Sequence, residues 1–334
     1  MKKLTARQAF CLYVLFILGS ISTIGGTNEA GRDYYLSFLA GGAVGFLFNI
    51  LYIKIGNNRR IFRIISTFAT VYIAAIAMSL FTMFISQMTL IATPNIIIAA
   101  FIAATVYIIC RGGIVTQGRL ASVIFPIVFL LITIASLASL QQSDFESLLP
   151  LLQNGIKPLL DGSFTSFMFY FAEGFSGVIA IAMSAEKKDA KRGILWGTVF
   201  VTLFVAMIFI RNLAVLGWPF VGSLYFPSYT VASLVRLGDF FQRMEVLISI
   251  VFILCKLMKI ALLEEYVKTT LSEITKREIS YGAVTAIVFT LSQMIFGGVT
   301  DAFIWLENYR YYLIFPCVIM PALVWIKGKI KREI

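Results

Sequence analysis

Apolar residues occur in long runs separated by charged and turn-forming clusters, and the length of these runs predicts membrane-spanning helices. A spanning helix needs roughly 20 mostly apolar residues, because the hydrocarbon core is about 30 Å thick and each residue rises about 1.5 Å. Ten runs approach this length, and none shows the strict alternation of barrel strands, so we expect an all-α bundle. The runs cover residues 8–28, 33–53, 62–87, 95–110, 119–140, 163–184, 193–215, 239–262, 280–298 and 309–326.

The composition supports this interpretation and excludes a water-soluble protein. Hydrophobic types make up 59% of the 334 residues, charged types make up 13%, and the mean hydropathy is +0.89. The connections between the runs are too short for a soluble domain. We therefore expect one transmembrane domain over residues 1–334, retained in the membrane by an uncleaved first helix.

The distribution of positive charge predicts the orientation. The net charge is +11, and alternating the connections between two sides places most Lys and Arg on one side, together with both termini. The other side receives Arg32, Lys157, Arg211, Arg236, Arg243 and Arg310. By the positive-inside rule the richer side is cytoplasmic, so the charge is explained without a nucleic-acid partner.

Several kinds of chemistry find no residues to support them. The chain has no histidine, and its four cysteines are scattered through apolar runs. No phosphate-binding loop, metal-ligand spacing or catalytic nucleophile pattern occurs. We therefore expect a protein that is not an enzyme and has neither a metal site nor a cofactor.

Two runs carry candidate ligand-binding residues. In the first run, a high density of small and hydroxylated residues weakens the helix, although close helix packing through small residues explains it equally well. In the sixth, a carboxylate near mid-membrane costs roughly 3 kcal/mol or more unless it meets a cavity, a partner charge or a proton. The alternative role for this carboxylate is a structural hydrogen bond. The candidates are Gly19, Ser20, Ser22 and Gly25 in the first run and Tyr170, Glu173 and Gly174 in the sixth.

These two runs hold corresponding positions if the chain is divided into repeats of five spans, at about 8–140 and 163–326. Paired glycine-interrupted helices in corresponding positions are typical of inverted-repeat transporters, in which the broken helices bind the substrate. The freed N–H groups of such half-helices suit an anionic group such as a carboxylate.

Two charged connections have a predicted structural or gating role. Asp239 and Arg243 are four residues apart, a spacing that suits an ion pair at the outer start of the eighth span, beside Arg236 and Glu245. Arg111 and the glycines that follow it predict a tight cytoplasmic turn between spans four and five. The stretch 256–279 has charges at helical spacings and predicts a solvated helix or a partner-contacting surface.

The chain also resembles a known family. The resemblance rests on RGGIVTQGR (Arg111–Arg119) followed by an apolar run containing Pro126, on RLGDFFQRMEVL (Arg236–Leu247), on the glycine-rich first run, and on length and span count. In these features it is similar to the endospore germination permeases, the B subunits of nutrient germinant receptors, within the amino acid, polyamine and organocation transporter superfamily.

The resemblance implies a LeuT-like, five-plus-five inverted-repeat fold with broken helices 1 and 6 and a nutrient pocket between helices one, three, six and eight. It implies the spore inner membrane, and partnership with an A subunit and a lipoprotein C subunit. We therefore expect a receptor subunit that binds a small germinant, with an amino acid as the expected class. The alternative is an ion-coupled secondary amino acid transporter in which Glu173 serves as the proton or cation site.

Overall fold

The protein is described by a computed structural model that covers residues 3–21, 28–55, 60–235 and 243–333. Within these ranges the chain is almost entirely helical, and its one β-type contact is an isolated bridge between Leu4 and Ala185. The α-helices are α1 (Ala6–Ile21), α2 (Tyr34–Ile55), α3 (Arg60–Met88), α4 (Asn95–Arg111), α5 (Gly113–Ala138), α6 (Ile156–Ser166), α7 (Phe175–Ser184), α8 (Lys187–Leu216), α9 (Phe220–Ser223), α10 (Pro227–Leu234), α11 (Glu245–Thr275), α12 (Tyr281–Met294), α13 (Val299–Leu313) and α14 (Met320–Glu333).

Several of these helices, alone or joined to the next one, are long and apolar enough to cross a membrane. Seven segments of the described chain meet that requirement, and α12 with the start of α13 forms a further, sharply bent pair with an angle of 105°. The apolar helices α1 and α4 are shorter. These segments follow the predicted runs in order along the chain, so the expected all-helical membrane fold is confirmed. The count of ten spans and the inverted repeat stay predictions.

The bundle is apolar on its outer surface and partly polar inside. Large apolar side chains such as Leu47, Phe68 and Phe101 are exposed on outward faces, as a hydrocarbon environment requires. Polar side chains such as Asn49 and Gln117 are fully buried between helices. A water-soluble fold distributes these residue types in the opposite way, so the protein is an integral membrane protein.

Helix α1 lies at the centre of the bundle. Every residue from Cys11 to Ile21 is buried, and the helix packs between α8 and α11. Glycines permit the close approach: a Cβ on Gly19 would lie 2.7 Å from the carbonyl oxygen of Cys255, and one on Gly193 would lie 2.6 Å from that of Ala6. The described part of α1 has 16 residues and spans about 24 Å.

Helix α1 is described as far as Ile21, whereas the apolar run predicts a helix to residue 28. Residues 22–27 lie outside the described chain, so the predicted end of this helix stays a prediction. The description resumes with a 3₁₀ turn at Asn28–Asp33.

The sixth predicted span is distorted and not unwound. Helices α6 and α7 are joined by a π-helical segment, Phe167–Ala172, and a tight turn, and together they form one continuous span. The N–H of Glu173 donates to the carbonyl of Met168 at 3.2 Å, and that of Gly174 to Phe171 at 3.2 Å. These two N–H groups are therefore used within the helix and are not free to bind an anion.

The packing of α2 explains how the π segment is accommodated. A Cβ at Gly45 would lie 2.4 Å from the Phe171 ring, and a Cβ at Gly41 would lie 2.9 Å from the Phe167 nitrogen. A π turn is wider than an α turn, so the facing helix needs residues without side chains at these points. Such π segments are frequent at functional sites.

Helix α11 differs most from its prediction. It runs to Thr275, well past residue 262, and it buries side chains that the charge pattern assigns to a solvated surface. Glu264 is 0% exposed and Glu265 is 7% exposed. The spacing of charges along a helix does not show which face a neighbouring helix covers, and here α4, α5 and α12 supply hydrogen-bond partners for both carboxylates.

Candidate functional site

The carboxylate of Glu173 is buried at the centre of the bundle and holds the candidate site together. It follows the π segment directly, and it is 5% exposed. Its Oε1 forms an ion pair with Lys259 and accepts from Ser20 Oγ at 3.3 Å, while its Oε2 accepts from Tyr309 OH at 2.8 Å. One acidic group therefore connects α1, α11 and α13 to the sixth span.

Two lysines of α11 accompany this carboxylate. Lys259 is 3% exposed and also donates to Ser20 Oγ at 2.9 Å. Lys256, one helical turn earlier, is equally buried at 3%. Counting Lys and Arg on the two sides of the membrane places both lysines on the cytoplasmic side. That placement is wrong, because both side chains are buried inside the bundle. Their position in the apolar stretch ILCKLMKIALL is the signal that could have identified them, because unpartnered lysines are costly within a span.

A small cavity of about 20 Å³ lies beside the Glu173–Lys259 pair. It is lined by Ser20, Ile73, Ile76, Ala77, Leu80, Phe169, Glu173, Lys256, Lys259, Leu306 and Tyr309. These residues belong to α1, α3, the sixth span, α11 and α13. The volume is enough for about one water molecule and far too small for an amino acid. Among the described residues the site is therefore closed to a nutrient, and we call this arrangement the closed state.

One ion pair and several hydrogen bonds close the side of the site on which α6 lies. Arg310, the residue after Tyr309, forms an ion pair with Glu29 at 2.6 Å, and Thr165 Oγ1 donates to the same Glu29 oxygen at 3.1 Å. Nearby, Asp33 accepts from the Leu152 N–H through both carboxylate oxygens, at 3.2 and 3.1 Å. The chain after α1 is thus tied to α13 and α6.

The opposite side is closed by the N-terminal segment. The Leu4 N–H donates to the carbonyl of Ser184 at 3.0 Å, at the end of α7, and the buried Leu4 side chain lies against Gly118 of α5. Asn49 Nδ2 donates to Tyr13 OH at 2.7 Å and to Thr198 Oγ1 at 2.9 Å, which joins α2, α1 and α8. Both ends of the central site are therefore covered in this state.

Three other predicted ligand-binding residues, Gly19, Tyr170 and Gly174, are described but do not line the cavity. Gly19 packs against the backbone of α11, so close helix packing explains it. Tyr170 is fully buried, with its ring centroid 5.2 Å from that of Phe38 and away from the cavity. Gly174 lies near the Phe16 ring. Ser22 and Gly25 lie outside the described residues. Among the predicted residues that the structure describes, Ser20 and Glu173 line the cavity and the others do not.

The charged residues with a predicted structural or gating role lie only partly within the described chain. Arg243 Nε lies 3.1 Å from Glu245 Oε1 at the start of α11, where the arginine side chain is largely exposed. Arg236 and Asp239 lie outside the described residues. Arg111 ends α4, its guanidinium lies over the Tyr107 ring at 5.7 Å, and Gly113 with φ +70° makes the turn into α5.

Comparisons with known proteins agree with the sequence resemblance. The sequence pattern of the spore permease family, described as "Spore germination protein", matches residues 3–297. The chain is similar to spore germination protein KB of Bacillus subtilis (strain 168), with 26% identity over 281 residues, covering 78% of this chain and 75% of that protein. It is also similar to putative spore germination protein YfkT of the same organism, with 25% identity over 178 residues, covering 51% of this chain and 46% of that protein. The family pattern thus spans the sixth helical span and α11, which carry the buried charges, and the chain belongs to the spore permease family of germination proteins.

Proposed function

We propose that this chain is the membrane subunit of a spore nutrient germinant receptor and that the site around Glu173 binds a small nutrient, with an amino acid as the expected class. The observation that carries the proposal is the buried Glu173–Lys259 pair beside a cavity, in a family of germination proteins. Buried charges in a membrane bundle are costly and mark ligand or ion sites.

The charges of the lining support a ligand with a carboxylate. Lys256 and Lys259 carry two ammonium groups into the lining, and Glu173 carries one carboxylate. An amino acid carries groups that match the Glu173–Lys259 pair, because its carboxylate would accept from Lys259 and its ammonium would pair with Glu173. A neutral sugar offers neither charge.

Binding requires the closed state to open, because the cavity is too small for an amino acid. The residues around it belong to α1, α11 and α13, so an entering ligand must separate these helices or replace their shared contacts with Glu173. A ligand that binds the rearranged state better shifts the population toward it. We propose that the companion A and lipoprotein C subunits respond to this shift in the spore inner membrane.

Ligand-dependent thermal stabilisation of the full chain in lipid nanodiscs tests the site. All four cysteines are free and buried, so a thiol-reactive dye reports unfolding. At a ligand concentration 100 times Kd the gain is about 2.7 kcal/mol. We expect stabilisation by at least one amino acid, and its loss in the double variant Glu173→Gln/Lys259→Met, which removes both charges of the pair together.

The matched control is Glu186→Gln, because Glu186 is exposed and its pair with Lys3, at 3.7 Å, is solvated. The control should keep the full stabilisation. Retained stabilisation in the double variant would reject the Glu173 site. Uptake of the same amino acid into proteoliposomes that contain this chain alone would favour the alternative, a secondary transporter; a response only with partner subunits would favour the receptor.

A further inference from the structure

A second group of buried charged residues lies farther along α11, at Glu264 and Glu265. Thr285 Oγ1 of α12 donates to Glu264 Oε2. Glu265 Oε2 accepts from Gln117 Nε2 of α5 at 3.3 Å and from Tyr281 OH of α12 at 3.0 Å. Cys110 of α4 lies between the two acids, with its Sγ 4.0 Å from both Glu264 Oε2 and Gln117 Nε2. Helices α4, α5 and α12 thus meet α11 around two carboxylates.

In the part of the chain that the structure describes, neither carboxylate has a cationic partner, because no Lys or Arg nitrogen lies within 4.0 Å of either one. This contrasts with Glu173, which is paired with Lys259. A buried ionised carboxylate without a counter-charge is strongly disfavoured, and such a group takes up a proton or another cation.

Two buried oxygen atoms in this cluster also have no hydrogen-bond donor among the described residues. They are Glu264 Oε1, on a side chain that is 0% exposed, and Gln117 Oε1, on a side chain that is also 0% exposed. The Gln117 amide orientation follows from Glu265, which as a carboxylate can only accept and therefore takes the Nε2 donor. Both oxygens can only accept, so the missing species is a donor or a cation.

The available donor atoms favour a proton over a metal ion. Hard cations such as Ca²⁺ and Mg²⁺ take about six or more oxygen ligands. Here the Thr285 hydroxyl is committed as a donor to Glu264, and the Cys110 sulfur is a soft ligand. The described residues include no group of three Cys, Asp or Glu side chains suited to a metal ion. A single proton on Glu264 neutralises its carboxyl with no further ligands, while Glu265 keeps its two neutral hydrogen-bond donors.

We propose that Glu264 is a proton-binding site that is protonated in this closed state. The proton neutralises the fully buried carboxyl and permits α4, α5 and α12 to pack against it. Its release would leave a buried negative charge, which favours separation of these helices and entry of water. Lys259 lies five residues earlier on the same helix, about 7.5 Å along its axis, so a movement of α11 would reach the Glu173 site.

The surroundings contain other groups that could titrate. The described titratable and charged groups near Glu264 are Cys110 of α4, Tyr281 of α12, and Glu265 and Lys268 of α11 itself. Helix α5 contributes the neutral Gln117. Helix α3 contacts α11 through Arg63 and Glu273, which pair with each other, and through Ser66 and Tyr266. A test must therefore identify the proton on Glu264 itself.

Infrared difference spectroscopy of the full chain in lipid nanodiscs provides that test, because a protonated carboxyl has a C=O stretch that a carboxylate lacks. An ordinary glutamate is ionised above about pH 4.3. We expect a protonated-carboxyl band to persist near pH 6, to disappear in Glu264→Gln, and to remain in Glu173→Gln and Glu265→Gln. Absence of the band in the unaltered chain, or its survival in Glu264→Gln, would overturn the proposal.

Two further arms keep the test decisive. Thr285→Val removes the hydroxyl that donates to Glu264, so it should shift the frequency of the protonated-carboxyl band. This variant keeps the test available if Glu264→Gln does not fold. An unshifted band would place the proton on another carboxyl and refute the proposal. Replacing Na⁺ and K⁺ by choline at constant pH should leave the band unchanged. A band that appears only without alkali ions would mean that a metal ion occupies the site in the proton's place. This proposal does not depend on nutrient binding, and it can fail or succeed separately.

Discussion

At the scale of single residues, the Glu173–Lys259 pair dominates the site because both groups are buried. Removing one partner of a buried pair leaves an uncompensated charge and costs about 3–5 kcal/mol. We therefore expect Glu173→Gln and Lys259→Met each to destabilise the protein by about this amount. Because the two residues share one interaction, the double variant should cost clearly less than the sum of the single variants. Thermal unfolding followed by cysteine exposure measures all three.

Additive costs would show that the two charges are not coupled and would contradict the pair. Tyr309→Phe is a graded companion variant, since it removes only the hydroxyl that donates to Glu173 Oε2. Hydrogen bonds to charged groups contribute about 1.5–3 kcal/mol, so Tyr309→Phe should cost less than the loss of either charge.

Gly19 provides a second residue-scale prediction. A methyl group at this position would lie 2.7 Å from the Cys255 carbonyl oxygen, which belongs to the rigid backbone of α11. Overpacking of this kind costs about 1–3 kcal/mol, so Gly19→Ala should lower the unfolding temperature. The control is Gly282→Ala on α12, where the added Cβ meets its nearest atom at 3.6 Å. Alanine is the better helix former, so this control should be neutral or stabilising. Equal effects of the two variants would contradict the close contact of α1 and α11.

The sequence identifies some of these residues and not others, for physical reasons. Glu173 is recognisable because an acidic residue in an apolar run demands an explanation. Lys259 and Tyr309 are its partners, but they are distant in sequence, and no local pattern reports which helices meet. Gly19 illustrates the opposite problem. A small residue in a membrane helix serves close packing or ligand access equally well, and only the neighbouring helix decides between them.

At the scale of helices, hydropathy predicts the spans well and their internal geometry poorly. Apolar length reports whether a segment can cross the membrane, but it carries no information on hydrogen-bond spacing. The π segment before Glu173 therefore could not be predicted, since it depends on glycines of α2 that face it. The buried charges of α11 were missed for a related reason. Helical spacing shows that charges share a face, and the packing of α4, α5 and α12 determines whether that face is solvated.

The Glu29–Arg310 pair leads to a prediction about helix movement. It connects the segment after α1 to α13, next to the residue that contacts Glu173. Arg310→Gln removes this connection. We therefore expect α13 to separate more often from the segment after α1, so that a water-soluble reagent can enter the cavity. Ile73 lines the cavity, and its side chain is 1% exposed. The rate at which the variant Ile73→Cys reacts with a membrane-impermeant thiol reagent therefore measures this opening.

The parent chain without Ile73→Cys corrects for the native cysteines, which are buried. The reaction should be slow with Arg310 present and several-fold faster with Arg310→Gln. Exchanging the charges in Glu29→Arg/Arg310→Glu should slow it again, because the attraction is restored. Rapid reaction in the exchanged pair would show that the arginine acts through packing and not through the ion pair.

At the scale of the whole molecule, the protein places charge inside and apolar surface outside. This arrangement is stable only in a bilayer, where outward apolar side chains meet lipid and inner polar groups satisfy one another. Sequence alone predicts that arrangement, since composition and run length suffice for it. It does not reveal whether two sets of five helices are related by an inverted repeat, because the relation between repeats is spatial. The repeat over about 8–140 and 163–326 remains a proposal.

The orientation of the molecule is the last prediction, and it follows from charge and span number together. Ten spans place residues near both ends of the chain on one side, and the excess of Lys and Arg there assigns that side to the cytoplasm. Lys3→Cys and Lys327→Cys should therefore react with an impermeant thiol reagent in inside-out vesicles and not in right-side-out vesicles. Arg243→Cys, whose native side chain is 78% exposed at the start of α11, should show the reverse. Reaction of Lys3→Cys and Lys327→Cys from opposite sides would require an odd number of spans. Such a result would exclude the five-plus-five repeat, because two inverted sets of five always return the chain to the side from which it entered.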